Sequence, residues 1–454
     1  MKALRTLTLV ATAGAVLGAC AHYEPRPVAP EKFAARYDAV RLDPPPPGAA
    51  WSNQALLAAA IAHSPAVRES EANYRAARAA AKASRTPPPI TLLLIAEYSR
   101  DAGGTTPWLY NGLLNIPLDY GAKRSARLNA ADLVAVQALY DYAEAIWTVR
   151  SAVVHARIQR LASEQEAVLA QLAVQLREDR ARKLEQRIRS GEDARPAGIT
   201  AAIELAAAQR RLQDLTNLRV QADAVLAKAL GAPVSAVEPI VLEPLPDSVE
   251  PPAGPDLIAW RQEAVLRRRD VLRAVADYDI AEQGLRLEVA KQRPDVQLGP
   301  SYTFERGQHK IPFDLTLVLP PRDLNRANIR SAEAKRAQAG AKLDTVQAAV
   351  LAGVDQTSAA LAGAKAGLDR ALGQDLPLAR RADTAARKAL AAGELDRTDQ
   401  EAAQAAAVDA EIAVLEAWRL TWTAVADLED ALRRPSPGEA AVLEAAVKRA
   451  GDSQ

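Results

Sequence analysis

A mainly α-helical fold that also carries two β-hairpins, built as one helix–hairpin–long helix–helix unit given twice, is what this 454-residue sequence predicts. Three observations predict it. From Ala122 to Ser190 there is neither Gly nor Pro, 69 residues of helix formers, and at 1.5 Å per residue a continuous helix of that length runs on the order of 100 Å. Two pairs of alternating segments, about 90–99 with 108–118 and 295–305 with 311–319, flank the turn signals Asp101-Ala102-Gly103-Gly104 and Arg306-Gly307-Gln308, as β-hairpins do. Landmarks also recur at a near-constant offset. Pro117, Lys123 and Arg127 match Pro320, Arg326 and Arg330 at 203, Gly191 matches Gly393 at 202, and Tyr74 pairs with Tyr278 at 204. That constancy indicates a duplicated unit.

The chain opens on a secretory signal. Lys2 and Arg5 are positive, Leu7 to Leu17 is mostly apolar, and Leu17-Gly18-Ala19-Cys20 resembles a lipobox. Residues 1–19 are expected to be cleaved as a lipoprotein signal peptide, leaving Cys20, the only cysteine, lipidated. A lone cysteine has no disulfide partner within the chain, so lipidation accounts for it better than chance does. Ala at position 21 rather than Asp favours sorting to the outer membrane. Residues 20–50 then read as a Pro-rich tether.

The first repeat spans 51–231. A helix from Gln54 is stopped by Pro87-Pro88-Pro89; the hairpin, the 69-residue rod and a helix opened by Arg195-Pro196 and closed by Gly231 follow. Residues 232–256 hold seven prolines and connect the halves. The second repeat, 257–434, begins within a helix predicted from Asp256 to Gln292. It continues through the second hairpin, a long helical region to Gly393 and a last helix to Arg433. Pro377 predicts an interruption or a bend in the second rod. Residues 435–454 read as a C-terminal tail.

Composition narrows the function. The formal charge is +1, or about −1 once Lys2 and Arg5 leave with the signal; nothing suggests nucleic acid. His22, His63, His155 and His309 are scattered, no metal-ligand spacing occurs, and no nucleophile or phosphate-binding motif is present. No enzyme, metal site or cofactor is expected.

The second hairpin carries the sharpest pattern. Val296, Leu298, Tyr302 and Phe304 alternate with Gln297, Gly299, Ser301, Thr303 and Glu305. Such alternation suits a membrane barrel strand, with lipid on one face and water on the other. It equally suits a half-buried strand of a soluble sheet. The first hairpin alternates less cleanly, since Leu92 to Ile95 run together. Four strands cannot close a membrane barrel, so a barrel requires several chains.

This plan resembles the TolC family of outer-membrane efflux and secretion channels over roughly residues 54–434. Ile116-Pro117-Leu118-Asp119-Tyr120-Gly121-Ala122-Lys123-Arg124 resembles the family's strand-to-helix exit. Leu319-Pro320-Pro321-Arg322-Asp323-Leu324-Asn325-Arg326 is similar to its second copy. Gly191-Glu192 and Gly393-Glu394 are similar to its periplasmic tips. The resemblance implies a homotrimer, with a 12-strand β-barrel in the outer membrane continuing into a periplasmic α-helical tunnel. It also implies a periplasmic adaptor and an inner-membrane pump as partners. The Lys123-Arg124-Ser125-Ala126-Arg127 form and the Trp147-Thr148-Val149-Arg150 stretch lean toward the heavy-metal efflux branch. A type I secretion duct, or a lipid-anchored coiled-coil scaffold without a pore, are the alternatives.

The tips are the candidate gate. Gly191, Glu192 and Asp193 form one turn; Gly393, Glu394 and Asp396 form the other. Converging copies would ring an opening with carboxylates that favour cations, held shut by Arg189, Arg195 or Arg397. Acidic residues also simply stabilise helix N-termini.

Overall fold

The computed structural model describes residues 23–43, 49–100, 106–246, 255–305 and 307–452. The signal segment, Cys20, Pro44 to Pro47, the Asp101–Gly104 turn, Arg306 and residues 247–254 of the connector lie outside them. Two units are distinguished, divided after Arg41. In the first, a short helix α1 (Phe33–Asp38) stacks Phe33 on Tyr37 at 6.4 Å.

The second unit begins with α2 (Asn53–His63) and α3 (Pro65–Ala83). A single helix is expected here, but Pro65 disfavours helical geometry in the residue before it, and Ser64 is extended, at ψ 121°. The Ser64 hydroxyl then accepts from the Val67 N–H and caps α3. The second repeat breaks at the matching place. The predicted helix from Asp256 to Gln292 is two, α7 (Pro255–Arg267) and α8 (Arg269–Ala290), with Arg268 extended at ψ 142°. Ser64 and Arg268 lie 204 apart, the offset of Tyr74 and Tyr278. No Pro or Gly marks the second break. Asp270 stabilises it instead, gripping Arg268 with both oxygens (3.0 and 2.7 Å) and accepting the Val271 N–H.

Strands β1 (Thr91–Tyr98) and β2 (Trp108–Pro117) pair antiparallel, and β2 pairs with β3 (Asp295–Glu305). The two hairpins therefore join into one sheet across the repeat boundary. On the far side of β3 lie β4 (Gln308–Lys310) and β5 (Phe313–Val318), in a single register interrupted by Ile311-Pro312. Pro312 has no N–H to donate, yet its carbonyl still accepts from the Ser301 N–H at 2.9 Å. Strands β1 and β5 are the open edges.

The first rod, α4 (Gly121–Arg189), is 69 residues of unbroken helix. It returns through α5 (Arg195–Leu230), closed by Gly231 at φ 65°. A Cβ on Gly231 would stand 2.9 Å from the His63 carbonyl oxygen, so glycine is required both for the turn and for the approach of the α2–α3 break. A four-residue helix α6 (Val234–Val237) and a parallel bridge between Trp51 and Leu242 tie the connector to the start of the repeat.

The second rod is α9 (Arg322–Arg370), a π turn (Ala371–Asp375) and α10 (Leu376–Ala392). The helix neither stops nor frays at Pro377. The wider turn absorbs the missing N–H and the ring that would clash with an ordinary α backbone. Then come α11 (Arg397–Leu432) and α12 (Pro437–Asp452), so the expected tail is largely helix.

The core is thin and rich in alanine, which lets the helices approach closely. Ala170 and Ala173 of α4 meet Leu215 of α5 and Val408 and Ile412 of α11. Truncating the fully buried Ile412 to Ala is expected to cost about 2–5 kcal/mol. Among the described residues no helix is long and apolar enough to cross a membrane.

Candidate functional site

Two regions at opposite ends of the rods carry the chemistry. At one end, the register sorts the strands into two faces. Leu92 opposes Leu114, Tyr98 opposes Trp108, Tyr110 opposes Phe304, and Leu298 opposes both Ile116 and Leu315. All share one face, and most of their side chains are exposed: Leu94 is 72% exposed and Phe313 79%. Near the hairpin turns this face carries a row of rings, Tyr98–Trp108–Tyr110–Phe304–His309, with centroids 5.0 to 6.3 Å apart. Aromatic girdles at membrane interfaces look like this.

The opposite face is polar in the second hairpin. The Asn111 amide donates to the Thr303 hydroxyl at 2.7 Å, Lys310 pairs with Glu305 at 2.8 Å, and Gln297 and Thr316 lie opposite each other. In the first hairpin the same face carries Leu93 opposite Leu113, with Leu113 leaning over Gly299. The run Leu92 to Ile95 thus supplies apolar residues to both faces.

The residues of the strand-to-helix exit form a clasp. Lys123 donates to the Arg293 carbonyl (2.7 Å) and pairs with Asp295 (2.6 Å), while Asp119 pairs with Arg124 and Arg127. The second copy, with Asp323, Arg326 and Arg330, makes no ion pair among the described residues.

At the other end both tips are glycine-capped helix ends of one design. Gly191 (φ 81°) and Gly393 (φ 75°) are left-handed. The Glu192 N–H bonds back to the Arg187 carbonyl and that of Glu394 to the Ala389 carbonyl, both at 2.9 Å. The latch between the tips is Arg187, which the sequence reading did not name. Its guanidinium pairs with Asp193 (2.6 Å) on its own turn and Asp396 (2.9 Å) on the other, with Glu192 at 3.9 Å. The hydrogen bonds it donates to Asp193 and Asp396 hold it still more firmly protonated than an ordinary arginine.

The three arginines expected to serve here are placed otherwise. Arg189, at the last helical position, turns back to Glu185 at 2.6 Å. Arg397 reaches Glu401 at 3.5 Å, and Glu401 also pairs with Lys183 across the hairpins. Arg195 and Glu394 make no ion pair among the described residues. Spacing alone could not distinguish Arg187 from Arg189, because the partner Asp396 lies on the other repeat.

A third cluster stands midway. Arg150, 1% exposed, pairs with Asp430 (3.1 Å), Glu439 (2.8 Å) and Glu429, while the Trp147 indole donates to Asp430 at 3.1 Å. Burial works against the charged guanidinium, but Glu429 and Glu439 outweigh it and raise the Arg150 pKa. Burial pushes the Glu429 carboxyl up despite Arg150. Among the described residues no group of His, Cys, Asp and Glu is arranged to hold a metal ion.

Comparison with known proteins agrees with this architecture. Residues 56–232 match the outer membrane efflux protein family. The chain is 27% identical over 240 residues to the cobalt-zinc-cadmium resistance protein CzcC of Cupriavidus metallidurans, covering 50% of this chain and 54% of that one, about half its length. It is 27% identical over 350 residues to protein CyaE of Bordetella pertussis, covering 72% and 73%. Its fold matches the open state of the Neisseria gonorrhoeae MtrE outer membrane channel with a TM-score of 0.68 at 20% identity, over 84% of this chain and 88% of that one.

Proposed function

From the match of residues 56–232 to the outer membrane efflux protein family, we propose that this chain is the outer-membrane conduit of a tripartite efflux system. It would conduct substrate passively from an inner-membrane pump and periplasmic adaptor to the exterior. One observation carries the reading: an open sheet, four strands wide with β4 and β5 in line as one, that has an exposed apolar face and unpaired edges at β1 and at β4–β5, and continues directly into the rods. An open edge in lipid leaves backbone groups unsatisfied, so the sheet must close against other copies. Three copies supply twelve strands, a barrel within the range known for membranes.

In this reading the rods form the periplasmic tunnel and Cys20 carries the lipid anchor. Arg187 with Asp193 and Asp396 makes the closed latch, while Glu192 and Glu394 add negative charge at the mouth. The likeness to a cobalt-zinc-cadmium resistance protein supports metal cations as cargo, and acidic rings favour cations. The chain's part is to shape and close a path, with energy supplied by the pump.

The test is single-channel current in a planar bilayer with the purified oligomer. Discrete ohmic steps from a trimer-sized species are expected, larger in Glu394→Lys, Asp396→Lys. Silence from both well-folded proteins would favour a scaffold without a pore.

A further inference from the structure

Where the two repeats meet, α4, α7, α8, α11 and α12 enclose a cavity of about 780 Å³ that the conduit reading does not use. Its apolar lining includes Trp147, Leu432, Leu443 and Val447. The lining also carries six cations, Arg267, Arg268, Arg269, Arg433, Arg434 and Lys448, against two carboxylates, Glu263 and Glu444. Arg267 and Arg434 share Glu263 (2.8 and 2.6 Å), and Arg268 and Arg433 are held from behind by Asp270 and Glu144. Arg269 and Lys448 make no ion pair among the described residues, and both are exposed.

The backbone at Arg433 is the second observation. Helix α11 ends in the same left-handed turn as α4, α5 and α10, which use Gly191, Gly231 and Gly393. Here alone the position is filled by a side chain, at φ 53°. A non-glycine residue in this conformation is strained, and strain of this kind collects at ligand clamps. The guanidinium lies over the Trp147 ring at 5.3 Å, while its Nε is buried with no hydrogen-bond acceptor. Arg434 beside it covers Trp260 at 4.3 Å. Cations stacked on indoles beside apolar side chains suit a ligand with an acidic head and an apolar body, and the volume lies within the usual range for small-molecule sites.

We propose that this cavity binds a free amphiphilic organic anion, a carboxylate on an apolar chain or ring system. The carboxylate sits among Arg269, Arg433 and Lys448, and the apolar body lies against Leu443 and Val447. Binding is independent of conduction and is measured without it.

The experiment is isothermal titration of the full chain in lipid nanodiscs with decanoate, empty nanodiscs subtracted, and with decanamide as the neutral isostere. One saturable site per chain is expected for decanoate, with decanamide at least tenfold weaker. Arg269→Gln with Lys448→Gln removes two unpaired surface cations, so folding is preserved, and affinity is expected to fall at least fivefold. Arg433→Gly removes the guanidinium while relieving the backbone, and binding is expected to be lost. Absence of a saturable site, equal binding of the amide, or undiminished affinity in Arg269→Gln, Lys448→Gln would each overturn the proposal.

Discussion

Arg187, four residues before the glycine of one tip, holds Asp396 of the other tip at 2.9 Å while also holding Asp193 at 2.6 Å. A single guanidinium thus couples two hairpins whose sequences lie in different repeats. Arg187→Ala is expected to raise single-channel conductance several-fold. The exchange Arg187→Asp with Asp396→Arg is expected to restore a smaller current than Arg187→Ala alone. Equal conductance in wild type and Arg187→Ala would remove the latch from the gate.

Two glycines should respond differently to the same substitution. Gly191→Ala meets only the left-handed backbone, since no atom lies within 4 Å of its Cβ position, and is expected to cost about 1 kcal/mol. Gly231→Ala also drives a Cβ to 2.9 Å from the His63 carbonyl oxygen and must shift backbone. Thermal midpoints of the two purified variants should rank Gly231→Ala clearly below Gly191→Ala. The reverse order would mean that the α2–α3 break is not held against α5.

Arg150→Met is expected to be severe. It leaves Glu429, Asp430 and Glu439 gathered in the interior without their central cation, a loss of about 3–5 kcal/mol when one partner of a buried pair is removed. Urea unfolding followed by far-ultraviolet circular dichroism measures it. Glu439 belongs to α12, so protease sensitivity of the C-terminal helix should increase at the same time.

Glu166 on α4 is buried beside Arg419 of α11 at 3.6 Å, and one of its oxygens has no hydrogen-bond partner. Burial raises its pKa above the ordinary 4.5, Arg419 offsetting only part. A carboxyl raised in this way stabilises the fold while protonated. That contribution is complete below about 4.5 and fades as pH rises through the folded-state value. Glu166→Gln is therefore expected to raise the thermal midpoint at pH 7.5 by a few degrees and to change nothing at pH 4. A lowered midpoint at pH 7.5 would show that the ion pair outweighs desolvation.

The strand faces make a paired prediction. Leu315→Arg puts a charge on the apolar face and is expected to cost about 2–4 kcal/mol near the bilayer midplane, while Thr316→Arg on the other face costs little. The fraction of heat-stable oligomer recovered from outer membranes reads both. A soluble scaffold would tolerate the two substitutions alike.

Much of this architecture is legible in the sequence because its punctuation is local. Glycines and prolines bound the rod from Gly121 to Arg189, and period-two alternation marks β3. Much of what escaped depends on more than local punctuation. Arg187 and Arg189 look interchangeable until Asp396 is placed beside one of them. The break at Arg268 carries no proline and becomes visible only through its match to Ser64 and the grip of Asp270. Glu439 reads as part of a C-terminal tail, yet it is 1% exposed because Arg150 draws it inward. Pro377 reads as an interruption or a bend because the α rule is local too, and a π turn is how the helix avoids the interruption.

That π turn also bears on symmetry. Lys123 to Gly191 spans 68 positions and Arg326 to Gly393 spans 67, so the duplicated rods are nearly equal in residues. The second, however, coils five residues, Ala371–Asp375, into a wider and shorter turn. Three such chains in a ring would carry six hairpins of two alternating kinds, with threefold rather than sixfold equivalence. A partner circling that ring would meet odd and even positions in turn, and could bind one set while leaving the other empty.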